Sequence, residues 1–216
     1  MTTAQHLCGL ILAAGESSRM GTDKALLPWP PAASGSESSR HTLLSAGILA
    51  LEPHTRAIVV VAGKNADSIS TIAGACGAYM VRNPDPSRGQ FSSLQIGLQA
   101  ALDRGCDSAM VTPVDCPPLA PSSLTSLREA FERAVARDLW AVAPENNGKH
   151  GHPLLVSWEL IRRFLDAPIA SNARDILHAH SDRIEYVAVP DDLTQAGMNT
   201  REEYSSYVGG LTPLSN

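Results

Sequence analysis

The residues best suited to chemistry near the N-terminus are two cations that follow a glycine-containing turn. Segment 7–24 reads L-C-G-L-I-L-A-A-G-E-S-S-R-M-G-T-D-K, so Gly15 and Gly21 come after an unbroken apolar run. A glycine just past a buried strand lets the backbone approach a ligand closely, and successive N–H groups in such a turn suit anions. Arg19 can fork onto phosphate oxygens, and Lys24 can act as a point charge. The pattern predicts a triphosphate site.

This segment differs from two common phosphate-binding loops. A Walker loop needs Lys and then Ser or Thr directly after its second glycine, whereas two residues separate Gly21 from Lys24 and an alanine follows it. The dinucleotide fingerprint G-x-G-x-x-G does not occur here, because the next glycine after Gly15 is Gly21. An ordinary strand-to-helix turn with incidental charges is the alternative interpretation.

A second candidate is the carboxylate of Asp115, in the segment P-V-D-C-P-P that follows a predicted strand at 108–112. In doubly wound sheets, ligands bind beyond the carboxyl ends of the strands, and the flanking prolines restrict the backbone. A carboxylate there suits Mg²⁺, which binds one or two carboxylates plus substrate phosphates. The alternative is that Asp115 caps a turn before the helix predicted at 122–137.

Further polar candidates lie at helix starts and in a histidine-containing turn. Segment 89–102 predicts a helix with Ser92 and Ser93 near its start, where free N–H groups and hydroxyls can hold an anion, although a plain capped core helix fits as well. Segment 149–153 reads K-H-G-H-P, and no Cys or further His completes a zinc pattern around it. Asn199 or Thr200, just before the last predicted helix, can cap it.

Apolar strand patterns alternate with helical patterns for most of the chain, with strands after the first one predicted at 57–62, 78–81, 108–112, 140–144, 154–157 and 184–189. The alternation predicts an α/β domain of three layers with a mostly parallel central sheet. We expect residues 1–208 to form one domain and 209–216 a frayed tail. Segment 30–40 has loop composition and predicts an exposed, mobile excursion.

The bulk properties narrow the class of protein. A chain of 216 residues fits one large domain, and its net charge of −5 gives no general attraction to nucleic acid or to an anionic membrane. No apolar run reaches membrane-spanning length and no signal peptide is recognisable, so we expect a cytoplasmic protein without a nucleic-acid or membrane partner. The four cysteines form no C-x-x-C pair, which predicts reduced thiols.

The segment L-A-A-G-E-S-S-R-M-G-T-D-K resembles the signature loop of the MobA-like nucleotidyltransferases. The resemblance continues in family order through G-Q-F-S-S-L-Q-I-G-L, P-V-D-C-P, G-H-P and the segment 197–204, so it covers nearly the whole chain. It implies a Rossmann-like nucleotidyltransferase fold. Within the family, L-A-A-G rather than L-A-G-G, together with S-S-L-x-x-G-L, is most similar to the molybdenum-cofactor cytidylyltransferases.

The resemblance also implies a role for each matching residue. Arg19 and Lys24 would neutralise phosphates, and Asp115 with Asn199 would hold Mg²⁺. The nucleotide would contact the loop and the following helix through Leu12, Ala13, Ala14, Gly15, Gly21, Ser92, Ser93 and Gly97. On the acceptor side, the phosphate or the pterin would contact Lys149, His150, His152 and Arg174.

The implied reaction moves CMP from CTP, or a nucleotide from another NTP, onto a phosphate-bearing acceptor such as molybdopterin and releases pyrophosphate. The acceptor phosphate is already ionised at neutral pH, so no general base is required. Family members that act on molybdopterin often carry G-D-x-G-A-R, where segment 170–174 of this chain reads A-S-N-A-R, which leaves the acceptor open. The alternatives are a transferase that uses GTP or a sugar or other small phosphate, an NADPH-dependent oxidoreductase of the same family, and a non-catalytic partner of a molybdenum enzyme.

Overall fold

A computed structural model describes residues 6–17, 20–31, 41–168 and 170–207. Within these residues one sheet has eight strands, which are β1 Leu7–Ala13, β2 Ala57–Ala62, β3 Tyr79–Arg82, β4 Ser108–Pro113, β5 Ala141–Asn146, β6 Lys149–His150, β7 Leu154–Val156 and β8 Ile184–Ala188. The strand order is β3-β2-β1-β4-β7-β5-β6, and β8 pairs with β5. Strand β1 therefore lies inside the sheet, between β2 and β4.

The same part of the chain contains α1 Leu43–Leu51, α2 Ala66–Ala75, α3 Gln90–Leu102, α4 Pro121–Val135, α5 Trp158–Asp166, α6 Ala173–Ala179 and α7 Arg201–Ser206. Successive side chains of a strand point to opposite faces, and in β1 Ile11 joins one buried cluster while Leu10 joins another. Residues of α1, α2 and α4 pack in the first cluster, and residues of α3 and α5 pack in the second. The predicted three-layer α/β architecture is confirmed.

The sheet is mostly parallel, as predicted. Strands β3, β2, β1 and β4 run parallel to one another, and β8 runs parallel to β5. Strand β7 is reversed and pairs antiparallel with both β4 and β5. The short connection from β5 to β7 leaves no room for a crossover helix, so β7 must return antiparallel.

Most element boundaries agree with the sequence-based expectations within a few residues, and the two-residue strand β6 was not predicted because it is too short to show a period. Residues 32–40 of the predicted excursion and the predicted tail 209–216 lie outside the described residues. In the described part of the chain, no helix is long and apolar enough to cross a membrane. The parallel strands β1, β2 and β4 end at one edge of the sheet, and the candidate site lies there.

Candidate active site

Three predicted site residues meet at this edge of the sheet. The Lys24 ammonium donates to Asp115 Oδ2 at 2.8 Å and to Asn199 Oδ1 at 3.0 Å. The side chains of Lys24 and Asp115 are only 13% and 24% exposed, so this ion pair is largely shielded from water. Shielding strengthens the attraction between the two charges relative to bulk water. The side-chain oxygens of Asp115 and Asn199 thus converge on the Lys24 ammonium nitrogen.

Lys24 begins a short 3-10 turn at Lys24–Leu26, which follows the glycine-containing loop. Asp23 caps this turn, because its Oδ1 accepts from the Ala25 N–H at 3.0 Å. The Lys24 N–H donates to the Ser17 hydroxyl at 3.1 Å. The loop and the turn are therefore tied together at the lysine.

Asp115 follows the end of β4, where the sequence predicted a carboxylate. Its backbone carbonyl accepts from the Met198 N–H at 2.8 Å, which brings the segment before α7 against the end of β4. Burial raises the pKa of the neighbouring Cys116 thiol to about 12, and the negative Asp115 adds to this effect. Cys116 is therefore a neutral thiol beside the charged cluster.

Asn199 is fixed by the start of α7. Thr200 and Glu203 form a capping box, and Glu203 Oε2 also accepts from the Asn199 N–H at 2.6 Å. The side chain of Met198 is fully buried and packs with Trp29. The predicted cap belongs to Thr200, which leaves the Asn199 amide oxygen directed at Lys24.

A cavity of about 280 Å³ opens beside this cluster. The predicted nucleotide-binding residues that line it are Leu12, Ala14, Gly15 and Ser93. Gly21 lines an adjoining cavity of about 470 Å³ and has a φ of +66°, a backbone conformation that favours glycine. Ala13 is buried at the end of β1, and the predicted phosphate-binding Arg19 lies outside the described residues.

The two predicted serines differ in their surroundings. The buried Asn83 amide donates to both hydroxyls, at 2.9 Å to Ser92 Oγ and 2.9 Å to Ser93 Oγ. Ser92 Oγ donates onward to the Gly89 carbonyl at 2.8 Å and does not line the cavity. Ser93 lines the cavity, and its proton remains available to a ligand because the hydroxyl oxygen accepts from Asn83.

Gly97 is placed in the core rather than at the cavity. A Cβ at this position would lie 2.4 Å from Leu10 Cδ1 and 2.8 Å from Val61 Cγ2. The missing side chain lets α3 approach the sheet. The structure therefore gives this glycine a packing role, and Gly97 does not line the cavity beside Lys24. Its contact with the nucleotide stays a prediction.

Two asparagines that support the site, Asn65 and Asn83, were not predicted. Asn65 Nδ2 donates to the Ala13 carbonyl at 3.0 Å and to Asp23 Oδ2 at 2.8 Å. Both residues lie just after strands of the same sheet edge, β2 and β3. A polar residue directly after each buried parallel strand was the signal that could have found them.

A larger cavity of about 930 Å³ adjoins the first, and Leu12, Gly89, Gln90 and Pro113 line both. The predicted acceptor residues that line it are His150, His152 and Arg174, whereas Lys149 is exposed on β6 and does not. Arg88, His178 and Tyr186 line it too and were not predicted. The His150 ring stacks on the Tyr186 ring with centroids 3.6 Å apart and planes within 10°.

The family model of the MobA-like NTP transferase domain matches residues 9–184. The chain belongs to this family. It is 30% identical over 207 residues to a probable molybdenum cofactor guanylyltransferase of Mycobacterium avium, an alignment that covers 94% of this chain and 95% of the relative. It is also 29% identical over 169 residues to the molybdenum cofactor cytidylyltransferase of Escherichia coli, covering 78% of this chain and 79% of that protein.

The fold of this MobA-like domain has counterparts among solved structures. The crystal structure of Rv0371c from Mycobacterium tuberculosis in complex with manganese superposes with a TM-score of 0.72 at 18% identity, over 96% of this chain and all of that one. A nucleotidyl transferase from Methanothermobacter also superposes with a TM-score of 0.72, at 20% identity, over 94% of this chain and 95% of that one. At these identities the likeness concerns the fold.

The charge of the larger cavity of the MobA-like domain comes from its arginines rather than from His152. Burial lowers the pKa of His152, so this ring is neutral at neutral pH. A neutral ring adds no charge to attract a phosphate, which is one of the two acceptor groups, phosphate or pterin, that the resemblance assigns to this residue. Arg88 and Arg174 supply positive charge in the same cavity.

The residues present fit a divalent cation. Asp115 Oδ2 and Asn199 Oδ1 already converge on one positively charged atom, the Lys24 ammonium nitrogen. A carboxylate and an amide carbonyl are hard oxygen ligands of the kind that Mg²⁺ binds, with water and phosphate oxygens completing its shell. Within the described ranges, no group of three or more His, Cys, Asp or Glu side chains is placed to hold a metal ion.

Proposed function

We propose that this protein transfers a nucleotide from an NTP to the phosphate of molybdopterin and releases pyrophosphate. The observation that carries the proposal is the meeting of Lys24, Asp115 and Asn199 beside a cavity lined by Gly15. Triphosphate chemistry of this kind needs positioning and charge neutralisation rather than a covalent intermediate. The named relatives, a guanylyltransferase and a cytidylyltransferase of the molybdenum cofactor, support this reaction class.

The chain supplies two features that bind phosphate. The Lys24 ammonium contributes a positive charge at the wall of the smaller cavity. Helix α3 begins between the two cavities, where Gly89 and Gln90 line both, and its N-terminus carries partial positive charge. In this proposal the transferred phosphorus lies at the junction of the two cavities, with the nucleotide in the smaller and the acceptor in the larger.

Asp115 and Asn199 are the residues that would hold the metal. Bound there, a divalent cation such as Mg²⁺ would neutralise charge on the α-phosphate and on the incoming oxygen. The manganese complex of the structural neighbour Rv0371c supports a divalent cation in this fold. The carboxylate of Asp115 also orients Lys24, because the ion pair fixes the end of the lysine side chain.

The proposal also specifies the base of the nucleotide and the chemistry of the acceptor. The L-A-A-G sequence at 12–15 favours CTP, while the named relatives include one transferase for each base. For the acceptor, the stacked pair His150–Tyr186 offers an aromatic surface, and Arg88 and Arg174 offer charge. A planar pterin that carries a phosphate matches both features.

The direct test measures pyrophosphate release with purified molybdopterin and either CTP or GTP in the presence of Mg²⁺. We expect turnover, with CTP preferred, and a fall of about 100-fold or more in kcat/KM for Asp115→Asn because charge stabilisation of the transition state is lost. The matched control is Asp103→Asn, an exposed aspartate at the end of α3. It should behave like the wild type.

Calorimetric titrations with CTP, GTP and NADPH separate the remaining classes of function. Metal-dependent binding of a nucleoside triphosphate that Asp115→Asn weakens supports the transferase. Binding of NADPH alone, without a metal requirement, would point to the oxidoreductase and overturn the proposal. Turnover with sugar phosphates but not with molybdopterin would retain the reaction class and correct the acceptor.

A further inference from the structure

The Lys24 ammonium lies where a cation shared by the two predicted metal ligands would have to lie. It is bonded at 2.8 Å to Asp115 Oδ2 and at 3.0 Å to Asn199 Oδ1. We propose that Lys24 guards the metal site, so that a divalent cation enters only when the phosphates of a nucleotide draw the ammonium away. This inference rests on the proposed function and adds the order in which the site is filled.

The geometry makes the two cations alternatives. Mg²⁺ requires oxygen ligands at about 2.0–2.1 Å, and Asp115 and Asn199 can reach one such position only where their oxygens converge. The Lys24 ammonium occupies that point of convergence in the structure. A monovalent and a divalent cation a few ångströms apart also repel each other strongly in a site shielded from water.

Because Lys24 is largely shielded from water, we expect a metal ion without nucleotide to displace it poorly. The Lys24 side chain is 13% exposed, so an ammonium that left Asp115 would need another anionic partner to offset its lost hydration. The neighbouring carboxylate of Asp23 already accepts bonds from the Ala25 N–H and from Asn65 Nδ2. A metal ion that entered alone would therefore leave the ammonium without compensation.

A nucleoside triphosphate supplies the missing partner. Lys24 lines the smaller cavity together with Gly15 and Ser17, which belong to the loop predicted to hold the triphosphate. Its flexible four-carbon stem lets the ammonium turn from Asp115 towards phosphate oxygens in this cavity. Once the ammonium has turned, the oxygens of Asp115 and Asn199 are available to the metal. Metal and nucleotide then assist each other's binding reciprocally, as linkage requires.

The test uses Mn²⁺ as the probe and the full-length protein, with electron paramagnetic resonance to count free Mn²⁺. Without nucleotide, we expect the wild type to bind Mn²⁺ weakly and Lys24→Met to bind it about tenfold more tightly, because the competing charge is gone. Lys24→Met should bind CTP less tightly than the wild type. If Lys24 had a purely structural role, its replacement would weaken the binding of both Mn²⁺ and CTP. Tighter Mn²⁺ binding together with weaker CTP binding therefore supports competition between Lys24 and the metal.

Two further variants keep the test decisive. Lys24→Gln repeats the removal of charge with a polar side chain in case Lys24→Met folds poorly, and circular dichroism checks both. Adding Asp115→Asn to Lys24→Met should remove the gain in Mn²⁺ affinity, which assigns the metal to this carboxylate.

Two outcomes count against the inference, and they are distinguishable. If the wild type and both Lys24 variants bind Mn²⁺ equally tightly without nucleotide, Lys24 does not compete with the metal and this inference is wrong. The proposed function still holds in that case if Mn²⁺ binding depends on CTP. A lack of Mn²⁺ binding in all proteins, with and without CTP, would overturn the proposed function and the guard with it.

Discussion

Asn65 Nδ2 donates to Asp23 Oδ2 at 2.8 Å and so joins the end of β2 to the turn that carries Lys24. The same nitrogen donates to the Ala13 carbonyl at 3.0 Å, and Asn65 Oδ1 accepts from the Gly63 N–H at 3.0 Å. One side chain thus holds three segments of the site edge together. Because Asp23 also caps the Lys24 turn, the position of the lysine depends on an asparagine 41 positions further along the chain.

Replacing this asparagine should affect both stability and activity. We expect Asn65→Ala to lower the free energy of unfolding by about 1–3 kcal/mol, because three partially buried groups lose their partner. The looser Lys24 turn should also lower kcat/KM. Urea denaturation and the pyrophosphate assay measure the two effects, with Ser70→Ala on the exposed face of α2 as the control. Equal effects of the two variants would show that the Asn65 bonds do not hold the site.

A pair of glycine substitutions tests how closely the signature loop lies against the end of β2. A Cβ on Gly63 would lie 2.6 Å from the Ala14 carbonyl oxygen, whereas a Cβ on Gly74 would meet nothing within 4 Å. Gly63→Ala should therefore displace the loop, destabilise the protein by about 1–3 kcal/mol and weaken CTP binding. Gly74→Ala lies inside α2 and should stabilise it by about 0.4–1 kcal/mol. Thermal unfolding and CTP titration distinguish them, and a neutral Gly63→Ala would contradict the close approach.

The sequence predicted which polar residues meet at the end of the sheet, but not the contacts that hold them in place. Lys24 and Asp115 stand out because each follows a strongly patterned strand, whereas Asn199 stands out through the family resemblance of segment 197–204. Lys24 lies 91 positions from Asp115 and 175 positions from Asn199 in the sequence. Parallel strands whose carboxyl ends share one edge explain how such distant residues meet. Periodicity alone does not give the order of strands in a sheet, so the reversed β7 between β4 and β5 could not be derived.

The different surroundings of Ser92, Ser93 and Gly97 were beyond the sequence for a similar reason. Ser92 and Ser93 are chemically identical neighbours, and only the helix rotation set by packing directs one hydroxyl to Gly89 and the other to the cavity. Gly97 resembled a ligand-binding glycine, yet its role follows from the approach of Leu10 on a distant strand. Roles that depend on which face of an element is buried become visible only with the tertiary structure.

Replacing each of the two serines in turn should separate an effect on nucleotide binding from an effect on stability. Ser93→Ala removes the hydroxyl that faces the cavity, so we expect KM for the nucleotide to rise about 5- to 15-fold, the worth of one hydrogen bond of roughly 1–1.5 kcal/mol. Ser92→Ala should instead lower the free energy of unfolding, because the Gly89 carbonyl loses the hydroxyl donor and keeps only the Ser92 N–H. Steady-state kinetics and urea denaturation provide the comparison. A rise in nucleotide KM for Ser92→Ala alone would reverse the assignment.

Arg174 offers a test of the larger cavity. If this residue binds the phosphate of the acceptor, Arg174→Ala should raise KM for molybdopterin about 10- to 100-fold and leave KM for CTP unchanged, because charged hydrogen bonds contribute about 1.5–3 kcal/mol. Arg162→Ala is the matched control, since Arg162 lies on α5 and pairs only weakly with Asp166 at 3.7 Å. A change in KM for CTP instead would place Arg174 on the nucleotide side.

Cys116 should react slowly with alkylating reagents because burial beside Asp115 raises its pKa to about 12. Only the thiolate reacts, and at pH 8 a thiol of this pKa is about 10⁻⁴ ionised, against roughly a quarter for a free cysteine of pKa about 8.5. We expect the rate to rise about tenfold per pH unit from pH 7 to 10, whereas that of a free cysteine levels off above pH about 9. Iodoacetamide labelling read by peptide mass spectrometry measures this for Cys116 separately, and Cys116→Ser confirms the assignment of the peptide. Labelling at pH 8 as fast as a free cysteine would mean that the thiol beside Asp115 is ionised and that the segment after β4 is more open than the structure shows.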